Sequence, residues 1–178
     1  MVVHSFTLSS LAMNPKKQLP IRTPEGTFFA EYTERGLAGL RFPKAQFVGS
    51  IRTPATIPLP MRLWHRQTTA AVNAMLAGRT PTELPPLDDS CGTEFQRAVW
   101  KALRNIKSGY TRSYGQVARA IGKPKAVRAV GGACGANPIP LLVPCHRVLA
   151  ANRKIGGFSG GLGWKQRLLE REGVTVAN

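Results

Sequence analysis

Two capping boxes constrain the fold of this chain more than any other feature of its sequence. In each, a Ser or Thr can accept a hydrogen bond from a backbone N–H, and a Gln three residues later can return one, which is typical of a helix start. The boxes are Thr93-Glu94-Phe95-Gln96 and Ser113-Tyr114-Gly115-Gln116. They predict helices that end near Ser108-Gly109 and at Gly122. We therefore expect the second half of the chain to be mainly helical.

A third helix is predicted from about Lys125 to Ala136, after the turn Lys123-Pro124 and before Asn137-Pro138, because a residue that precedes proline disfavours the α region. Two short helices joined in this way are typical of a helix-turn-helix, although such pairs also occur as plain packing units. Ala and Gly dominate the second helix, and Arg128 is its one long projecting side chain. A helix with so few long side chains can approach a narrow DNA groove closely, but it has little with which to read base edges in the wide major groove.

The first half of the chain predicts a small sheet followed by a helix. Gly26 to Tyr32 and Leu37 to Phe42 are typical of strands, and Glu34-Arg35-Gly36 between them predicts a hairpin turn. Met61 to Ala77 has apolar residues at helical spacing and is followed by Gly78, a typical helix-ending residue.

The stretch Thr80–Ser90, with three prolines and two aspartates, is the best candidate for a domain boundary. The sequence predicts a flexible N-terminal extension over 1–19, an α/β domain over 20–79, a linker over 80–90, and a domain for DNA binding and the active site over 91–178. The fold class is α/β of the α+β kind. A small N-terminal sheet-and-helix domain precedes a mainly helical C-terminal domain with a helix-turn-helix.

The positive charge of the chain is concentrated in its second half. The whole chain carries 25 Lys and Arg against 9 acidic residues. Residues 1–90 have ten bases and six acids, whereas residues 91–178 have fifteen bases and three acids. Such an excess attracts polyanions, because each neutralised phosphate releases counterions. Charge alone leaves a nucleic-acid binder, a general anion binder and a solubilising surface open.

Several features favour a reducing, cytoplasmic setting, close to the nucleoid if the source is a bacterium. No run is apolar for long enough to cross a membrane, and Met1 to Leu19 lacks the early basic segment of a secretory signal. Cys91, Cys134 and Cys145 are odd in number and poorly spaced for disulfides or zinc.

Cys145 is the candidate nucleophile. The apolar run Ile139 to Pro144 predicts a buried strand with the cysteine at its polar end. A buried cysteine is usually a small apolar core residue, but His146, Arg147 and the basic surroundings would favour its reactive thiolate form. Adjacent residues of an extended chain point to opposite sides, so His146 would need a water molecule or a turn to reach the sulfur.

Two further segments complete the candidate site. Gly156 to Gly161 would let the backbone approach a ligand and present N–H groups to an oxygen, or would serve as a flexible connector. Leu162 to Glu172 predicts a closing helix in which Glu170 or Glu172 either orients the histidine or charges the helix surface. The leucines expected to face inward are Leu162, Leu168 and Leu169.

Pro144-Cys145-His146-Arg147-Val148 resembles the active-site signature of the O6-alkylguanine-DNA alkyltransferases, also called methylated-DNA–protein-cysteine methyltransferases. The similarity covers 91–173, whereas 20–90 fit the family's variable N-terminal domain in outline and 1–19 have no counterpart. Other motifs that carry it are Gly92 to Gln96, Val99-Trp100, Ser113 to Gln116, Lys123 to Val130 and Gly156 to Gly173.

The resemblance implies a role for each reacting side chain. Cys145 would accept the alkyl group, and Glu172 would hold His146, which would take the thiol proton through a water molecule. Tyr114 would donate a proton or hydrogen bond to the leaving guanine. Asn137 would brace the active-site segment through backbone hydrogen bonds.

The resemblance also implies how the substrate is held. The Val148 carbonyl and the backbone N–H groups around Ser159 would read the edges of a flipped base, and Pro140 would line its pocket. Phe158 stands where many members have Tyr, so stacking would survive there without a hydroxyl contact. Arg128 would fill the gap in the duplex. The other expected DNA contacts are Tyr114, Gly115, Lys123, Ala126 and Ala129.

The implied activity is DNA repair by irreversible, single-turnover alkyl transfer from O6-alkylguanine, with O4-alkylthymine as a further candidate substrate. No metal, nucleotide or methyl-donating cofactor is implied. The expected partner is double-stranded DNA carrying O6-alkylguanine, bound through its minor groove by a monomer, and cooperative binding along the DNA stays open. Two other classes stay open on the residues: a cysteine hydrolase using Cys145, His146 and Glu172, and a DNA-binding module in which Cys145 is only part of the core.

Overall fold

The first half of the chain forms a three-stranded antiparallel sheet with one helix. The structure, a computed structural model, describes residues 16–43 and 56–177. The strands lie in the order β1 (Lys17–Thr23), β2 (Gly26–Thr33) and β3 (Gly36–Arg41). Thr33 pairs with Gly36, which confirms the predicted hairpin turn.

Strand β1 was not predicted, and it begins inside the expected extension over 1–19. Pro20 lies within it, and a proline ordinarily argues against a strand because it cannot donate to the ladder. At the edge of the sheet, where β1 lies, that missing donor is tolerated. Residues 1–15 of the predicted extension lie outside the described residues.

Helix α1 (Leu59–Leu76) buries one face against the sheet. The prediction of a helix over 61–77 is confirmed, with a start two residues earlier. Gly78 follows with φ +70°, and a Cβ there would lie 2.4 Å from the carbonyl oxygen of Arg171. Glycine is therefore required both to end α1 and to let the C-terminal helix pass close to it.

The second half contains α2 (Glu94–Arg104), α3 (Tyr114–Ala120), α4 (Val127–Gly135) and α5 (Leu162–Arg171). Both predicted capping boxes are present, with complete reciprocal hydrogen bonds at the starts of α2 and α3. In the described part of the chain, no helix combines the length and apolar character that a membrane span needs. The mixed α/β architecture agrees with the predicted fold class.

A short parallel pair joins the helix-turn-helix to the cysteine segment. Strand β4 (Arg112–Ser113) pairs with β5 (Val148–Leu149). Since α3 starts directly after β4, and Cys145–Arg147 forms a 3-10 helix directly before β5, the pair brings the start of α3 beside Cys145.

One hydrophobic core passes through both halves. The rings of Phe28 and Phe42, from the first half, lie 5.5 and 5.0 Å from that of Trp164 in α5. The predicted linker is attached to β3, since Leu37 donates to the Pro86 carbonyl at 2.8 Å and its own carbonyl accepts from Asp88 at 2.7 Å. The two halves therefore fold against one another over a shared core.

Two local predictions were wrong. The run 139–144 is buried but is a turn rather than a strand, because Pro140 and Pro144 cannot donate and Leu141 adopts φ +83°. Leu162 is 52% exposed rather than inward, because it lies in the first turn of α5, ahead of the face that packs on the core. Leu168 and Leu169 are buried as predicted.

Candidate active site

Cys145 lies in the wall of a cavity of about 280 Å³. The cavity is formed by the start of α3, the small residues of α4 and the glycine-rich loop, all brought together by the pairing of β4 with β5. Cys145 itself is only 4% exposed. The lining residues are Tyr114, Gly131, Cys134, Gly135, Cys145, Gly157, Phe158 and Ser159.

Asn137 holds the segment that carries the thiol. Its side-chain amide donates to the Val143 carbonyl at 2.8 Å, and its Oδ1 accepts from the backbone N–H of Ile139 at 3.1 Å. These are bracing contacts of the kind expected for Asn137. The same Nδ2 also donates to Cys145 Sγ at 3.2 Å, a contact that the sequence did not predict.

Burial raises the pKa of the Cys145 thiol to about 11, against the lowering effects of the Asn137 hydrogen bond and the Lys165 charge. The thiol is therefore protonated at neutral pH. A reaction at sulfur then needs a base that removes the proton as the attack proceeds.

His146 is a base of this kind, and it is completely buried. Its Nε2 lies 3.1 Å from Glu172 Oε1. Burial raises the pKa of Glu172, but hydrogen bonds from His146 and Arg147 outweigh it and lower the pKa to about 2. Burial lowers the pKa of His146. A neutral imidazole that donates from Nε2 to a carboxylate leaves Nδ1 as a proton acceptor.

The Nδ1 atom of His146 is buried and has no hydrogen-bond partner among the described residues. There is also no hydrogen bond between the described side chains of His146 and Cys145. The prediction that His146 reaches the sulfur only through a water molecule or a turn assumed an extended chain. Residues 145–147 instead form a 3-10 helix, and the path between the imidazole and the sulfur stays a prediction.

Arg147 is a site residue whose contacts the sequence did not reveal. Its guanidinium donates to both carboxylate oxygens of Glu172, at 3.0 Å from Nε to Oε2 and 2.7 Å from Nη2 to Oε1. It also donates to the Ile106 carbonyl at 2.5 Å. Arg147 therefore fixes the carboxylate that fixes His146, rather than lying against the thiol.

Tyr114 lines the cavity from the first residue of α3. Burial raises the pKa of its phenol, helped by the nearby Cys134 and Cys145 and opposed by a hydrogen bond from the Gly157 backbone. Gly156, with φ +63°, passes so close that a Cβ would lie 3.2 Å from the phenol oxygen. The glycine-rich loop is thus packed on Tyr114.

The residues predicted to bind the substrate do not all line the cavity that contains Cys145. Phe158 and Ser159 line the cavity. Pro140 lines a neighbouring cavity of about 290 Å³, which shares Ser159. Val148 is buried, and its carbonyl accepts a hydrogen bond from Lys165 Nζ at 2.6 Å.

Two cavity neighbours were not assigned a role from the sequence. Cys134, one of the three cysteines noted in the sequence, lines the same cavity as Cys145. Lys165 is completely buried in α5, a burial that its place among Gln166, Arg167 and other polar residues gave no reason to expect.

The predicted DNA-contacting residues lie on the surface around α3 and α4. Lys123, Arg128 and Ala129 are exposed, and Gly115 and Ala126 are half-buried. Behind this surface, the indole of Trp100 donates to the Ala133 carbonyl at 2.8 Å and holds α4 against α2.

Comparison with known proteins identifies the family. The sequence profile described as the DNA-binding domain of 6-O-methylguanine DNA methyltransferase matches residues 94–174. A methylated-DNA–protein-cysteine methyltransferase of Mycobacterium tuberculosis is 52% identical over 101 residues, which are 57% of this chain and 61% of that protein. The Escherichia coli bifunctional transcriptional activator/DNA repair enzyme Ada is 48% identical over 67% of this chain and 33% of its own length. The chain thus aligns with less than two thirds of the length of these curated relatives.

Solved structures extend the likeness to nearly the whole chain. The crystal structure of M. tuberculosis O6-methylguanine methyltransferase is 38% identical, with a TM-score of 0.70 over 92% of this chain and 96% of that one. M. tuberculosis OGT in complex with DNA is 40% identical, with a TM-score of 0.69 over 86% and 90% of the two chains. This chain belongs to the O6-methylguanine-DNA methyltransferase family.

Proposed function

We propose that this protein repairs DNA by direct reversal of damage, in a single irreversible transfer of an alkyl group from guanine O6 to Cys145. The observation that carries the proposal is the buried thiol next in sequence to an imidazole that Glu172 orients and whose other nitrogen has no hydrogen-bond partner in the described part of the chain. Relatives named methylated-DNA–protein-cysteine methyltransferases support it, at 52% identity over 101 residues.

The chemistry follows from these contacts. His146 Nδ1 takes the Cys145 proton through a bridging water molecule, and Glu172 stabilises the imidazolium that forms. The sulfur attacks the alkyl carbon, a C–S bond forms, and the bond from that carbon to guanine O6 breaks. The electron pair remains on the guanine, to which Tyr114 donates a proton or hydrogen bond. The product thioether is not hydrolysed, so each molecule reacts once.

Access to the cavity requires that the base leave the stack, because the reacting carbon is inaccessible inside a duplex. Phe158 would stack on the flipped guanine, while the backbone near Ser159 and the carbonyl of Val148 would read its edges. Pro140 would bound the neighbouring part of the pocket. Alkylated O4 of thymine presents a similar carbon and is a further candidate substrate.

The DNA-binding surface would be the exposed face of α4 together with the start of α3. Its small residues permit close approach to the minor groove, and Arg128 projects far enough to fill the gap that the flipped base leaves. Backbone and cationic contacts would come from Tyr114, Gly115, Lys123, Ala126 and Ala129. We propose that the protein acts as a monomer in the cytoplasm.

Intact mass spectrometry after incubation with an excess of duplex containing O6-methylguanine tests the proposal. We expect one added methyl group, on Cys145, and a reaction that stops at one equivalent. Cys145→Ser should bind the duplex and gain nothing, whereas Cys91→Ser should react like the parent. Continued turnover would identify a hydrolase, an unchanged mass a binding module, and a methylated Cys145→Ser protein would exclude Cys145 as the acceptor.

A further inference from the structure

A further cavity, of about 350 Å³, lies where β4, α3 and the turn after β5 meet. It shares no lining residue with the cavity that contains Cys145. Three arginines line this arginine cavity: Arg112 from β4, Arg119 from α3 and Arg153 from the turn after β5. Among the described residues, no acidic side chain lines the cavity or forms an ion pair with any of the three.

The three arginines have the chemistry of a phosphate site. Like charges gathered in one cavity repel one another, and a bound anion removes that repulsion. A planar guanidinium also matches the oxygens of a phosphate, because it can donate two parallel hydrogen bonds to them. All three side chains are exposed, so an approaching polyanion can reach them.

The backbone of Arg153 indicates that its side chain has a role. Asn152 and Arg153 adopt φ +57° and +59°, a left-handed conformation that asparagine tolerates and arginine rarely adopts. Glycine would fit there without strain. Arg153 Nη2 donates to the Thr175 carbonyl at 2.7 Å, and the Arg153 carbonyl accepts from the Ala177 backbone at 3.1 Å. The protein thus keeps an arginine fixed at the cavity in a strained conformation, as is common where a residue serves binding.

The arginine cavity adjoins the part of α3 that is expected to contact DNA. Arg119 Nη1 lies 3.8 Å from the position that a Cβ on Gly115 would take, so the guanidinium folds back along α3 towards Gly115. Gly115 is one of the expected DNA contacts. A DNA strand that reaches Gly115 would therefore pass close to the Arg119 guanidinium and the cavity beside it.

We propose that the arginine cavity binds one phosphate of the DNA backbone, outside the surface formed by α4 and the start of α3. The choice of DNA as the partner rests on the proposed function. A phosphate contact carries no sequence information, so this site would fix the orientation of α3 on the duplex without selecting a sequence.

The test is the salt dependence of binding to undamaged duplex, measured by fluorescence anisotropy between about 50 and 200 mM salt. The triple variant carries Arg112→Gln, Arg119→Gln and Arg153→Gly, and the glycine also relieves the left-handed strain. The matched control removes the same charge from exposed positions in the first half of the chain. It carries Arg22→Gln, Arg62→Gln and Arg66→Gln. Thermal unfolding checks that both proteins fold.

Loss of one phosphate contact should reduce the slope of log K against log salt concentration by about 0.9. We expect this smaller slope in the triple variant, with a loss of affinity that is the same on duplexes of different sequence. The control should keep the slope of the parent protein. Equal slopes for the parent and the triple variant would overturn the inference.

A second measurement locates the contact with duplexes that carry one neutral methylphosphonate linkage, placed at successive positions of each strand. At one position, the neutral linkage should weaken binding by the parent about tenfold, because a hydrogen bond to a charged group is lost there. The triple variant, which has already lost that contact, should bind this duplex and the unmodified duplex equally. Equal losses in both proteins at every position would contradict the inference.

Free phosphate is the other source of the same chemistry, and thermal unfolding at constant ionic strength distinguishes it. Stabilisation of the parent by inorganic phosphate, absent from the triple variant and combined with equal salt slopes, would identify a site for free anions and overturn the inference. The outcome is separable from that of the proposed function, because undamaged duplex undergoes no transfer. Equal slopes with normal methyl transfer would refute the arginine site alone, and unequal slopes without methyl transfer would refute the repair activity alone.

Discussion

The sheet region and the Cys145 region bury very different groups. Under the sheet, Tyr32 and Thr68 are neutral and hydrogen-bonded: the Tyr32 hydroxyl donates to Thr68 at 2.8 Å, and Thr68 donates to the Trp64 carbonyl at 2.7 Å. Around Cys145, the buried side chains include His146, Arg147 and Lys165, and the carboxylate of Glu172 is only 3% exposed.

The difference indicates that the sheet region contributes mainly to stability, whereas the Cys145 region combines stability with chemistry. Burial of apolar surface stabilises a fold at roughly 25 cal/mol per Å² without demanding exact geometry. Buried charges stabilise little in total, because desolvation offsets their attraction, but removing one partner is costly. We therefore expect substitutions in the sheet to change stability without changing the chemistry, and substitutions near Cys145 to change both.

The largest effect on stability should come from Phe28→Ala in the completely buried core under the sheet. Loss of a buried phenylalanine costs about 3–5 kcal/mol of unfolding free energy. Denaturant unfolding measures this loss, with Leu59→Ala, whose side chain is 72% exposed, as the control. The transfer rate per folded molecule should be unchanged, and a slower rate would show that the two regions are not separable.

Glu172→Gln should change both stability and chemistry. The pKa of Glu172 is lowered from 4.5 to about 2, which corresponds to about 3 kcal/mol of stability. Because the folded-state pKa is the lower one, this contribution is present above about pH 4.5 and is lost as the pH falls towards 2.

The variant should be less stable at pH 7, and its unfolding free energy should fall less between pH 4.5 and 3. Urea unfolding at several pH values measures both. Transfer should slow by about a hundredfold, the lower end of the range for a positioned base, because Glu172 orients His146 and is not itself the base. Glu170→Gln is the matched control, since Glu170 lies on the exposed face of the same helix. Equal acid sensitivity of the parent and Glu172→Gln would contradict the assignment.

Arg128→Ala should affect transfer from DNA alone. Arg128 is exposed, so its loss should not lower stability. Without its side chain in the duplex, base flipping becomes less favourable, and transfer should slow by about tenfold, near the lower end of the usual cost of one lost contact. Single-turnover rates measure this, with Arg62→Ala on the exposed face of α1 as the control. Iodoacetamide reactivity of Cys145 should be unchanged, and a parallel loss there would point to a disturbed site.

The smallest effect is expected from Arg35→Ala. Arg35 pairs with Asp88 at 3.3 Å but is 70% exposed, so the pair is screened by solvent. Its removal should cost less than about 1 kcal/mol, and transfer should be unaffected. A larger loss, seen by the same unfolding measurement, would show that the segment around Asp88 holds the two halves together more strongly than its exposure indicates.

Sequence patterns predicted the parts of the fold that depend on local chemistry. The capping boxes fixed the starts of α2 and α3, and Gly78 and Gly122 marked helix ends, because these depend on a few neighbouring residues. Strand β1 was missed because its proline is tolerated only at a sheet edge, and an edge is a property of the assembled sheet.

Residues of the candidate site that belong to a sequence motif were predicted. Residues that reach the site only through tertiary packing were missed. The family resemblance paired His146 with Glu172 across 26 residues of sequence, which no local rule does. The contact of Arg147 with Glu172 and the burial of Lys165 depend on how α5 docks against the cysteine segment. Spacing along α5 gives the face of the helix but not the depth to which one side chain on that face is buried.

The parallel pair of β4 and β5 sets the position of α3 relative to the Cys145 thiol. Arg112 pairs with Val148 and Ser113 with Leu149. The paired strands therefore end one residue before Tyr114 on β4 and begin three residues after Cys145 on β5. In the proposed complex, docking of α3 on a duplex would therefore also place the sulfur, at a distance determined by backbone hydrogen bonds. If the proposed function holds, a base that leaves the stack would meet an acceptor whose position relative to α3 is set by these backbone hydrogen bonds.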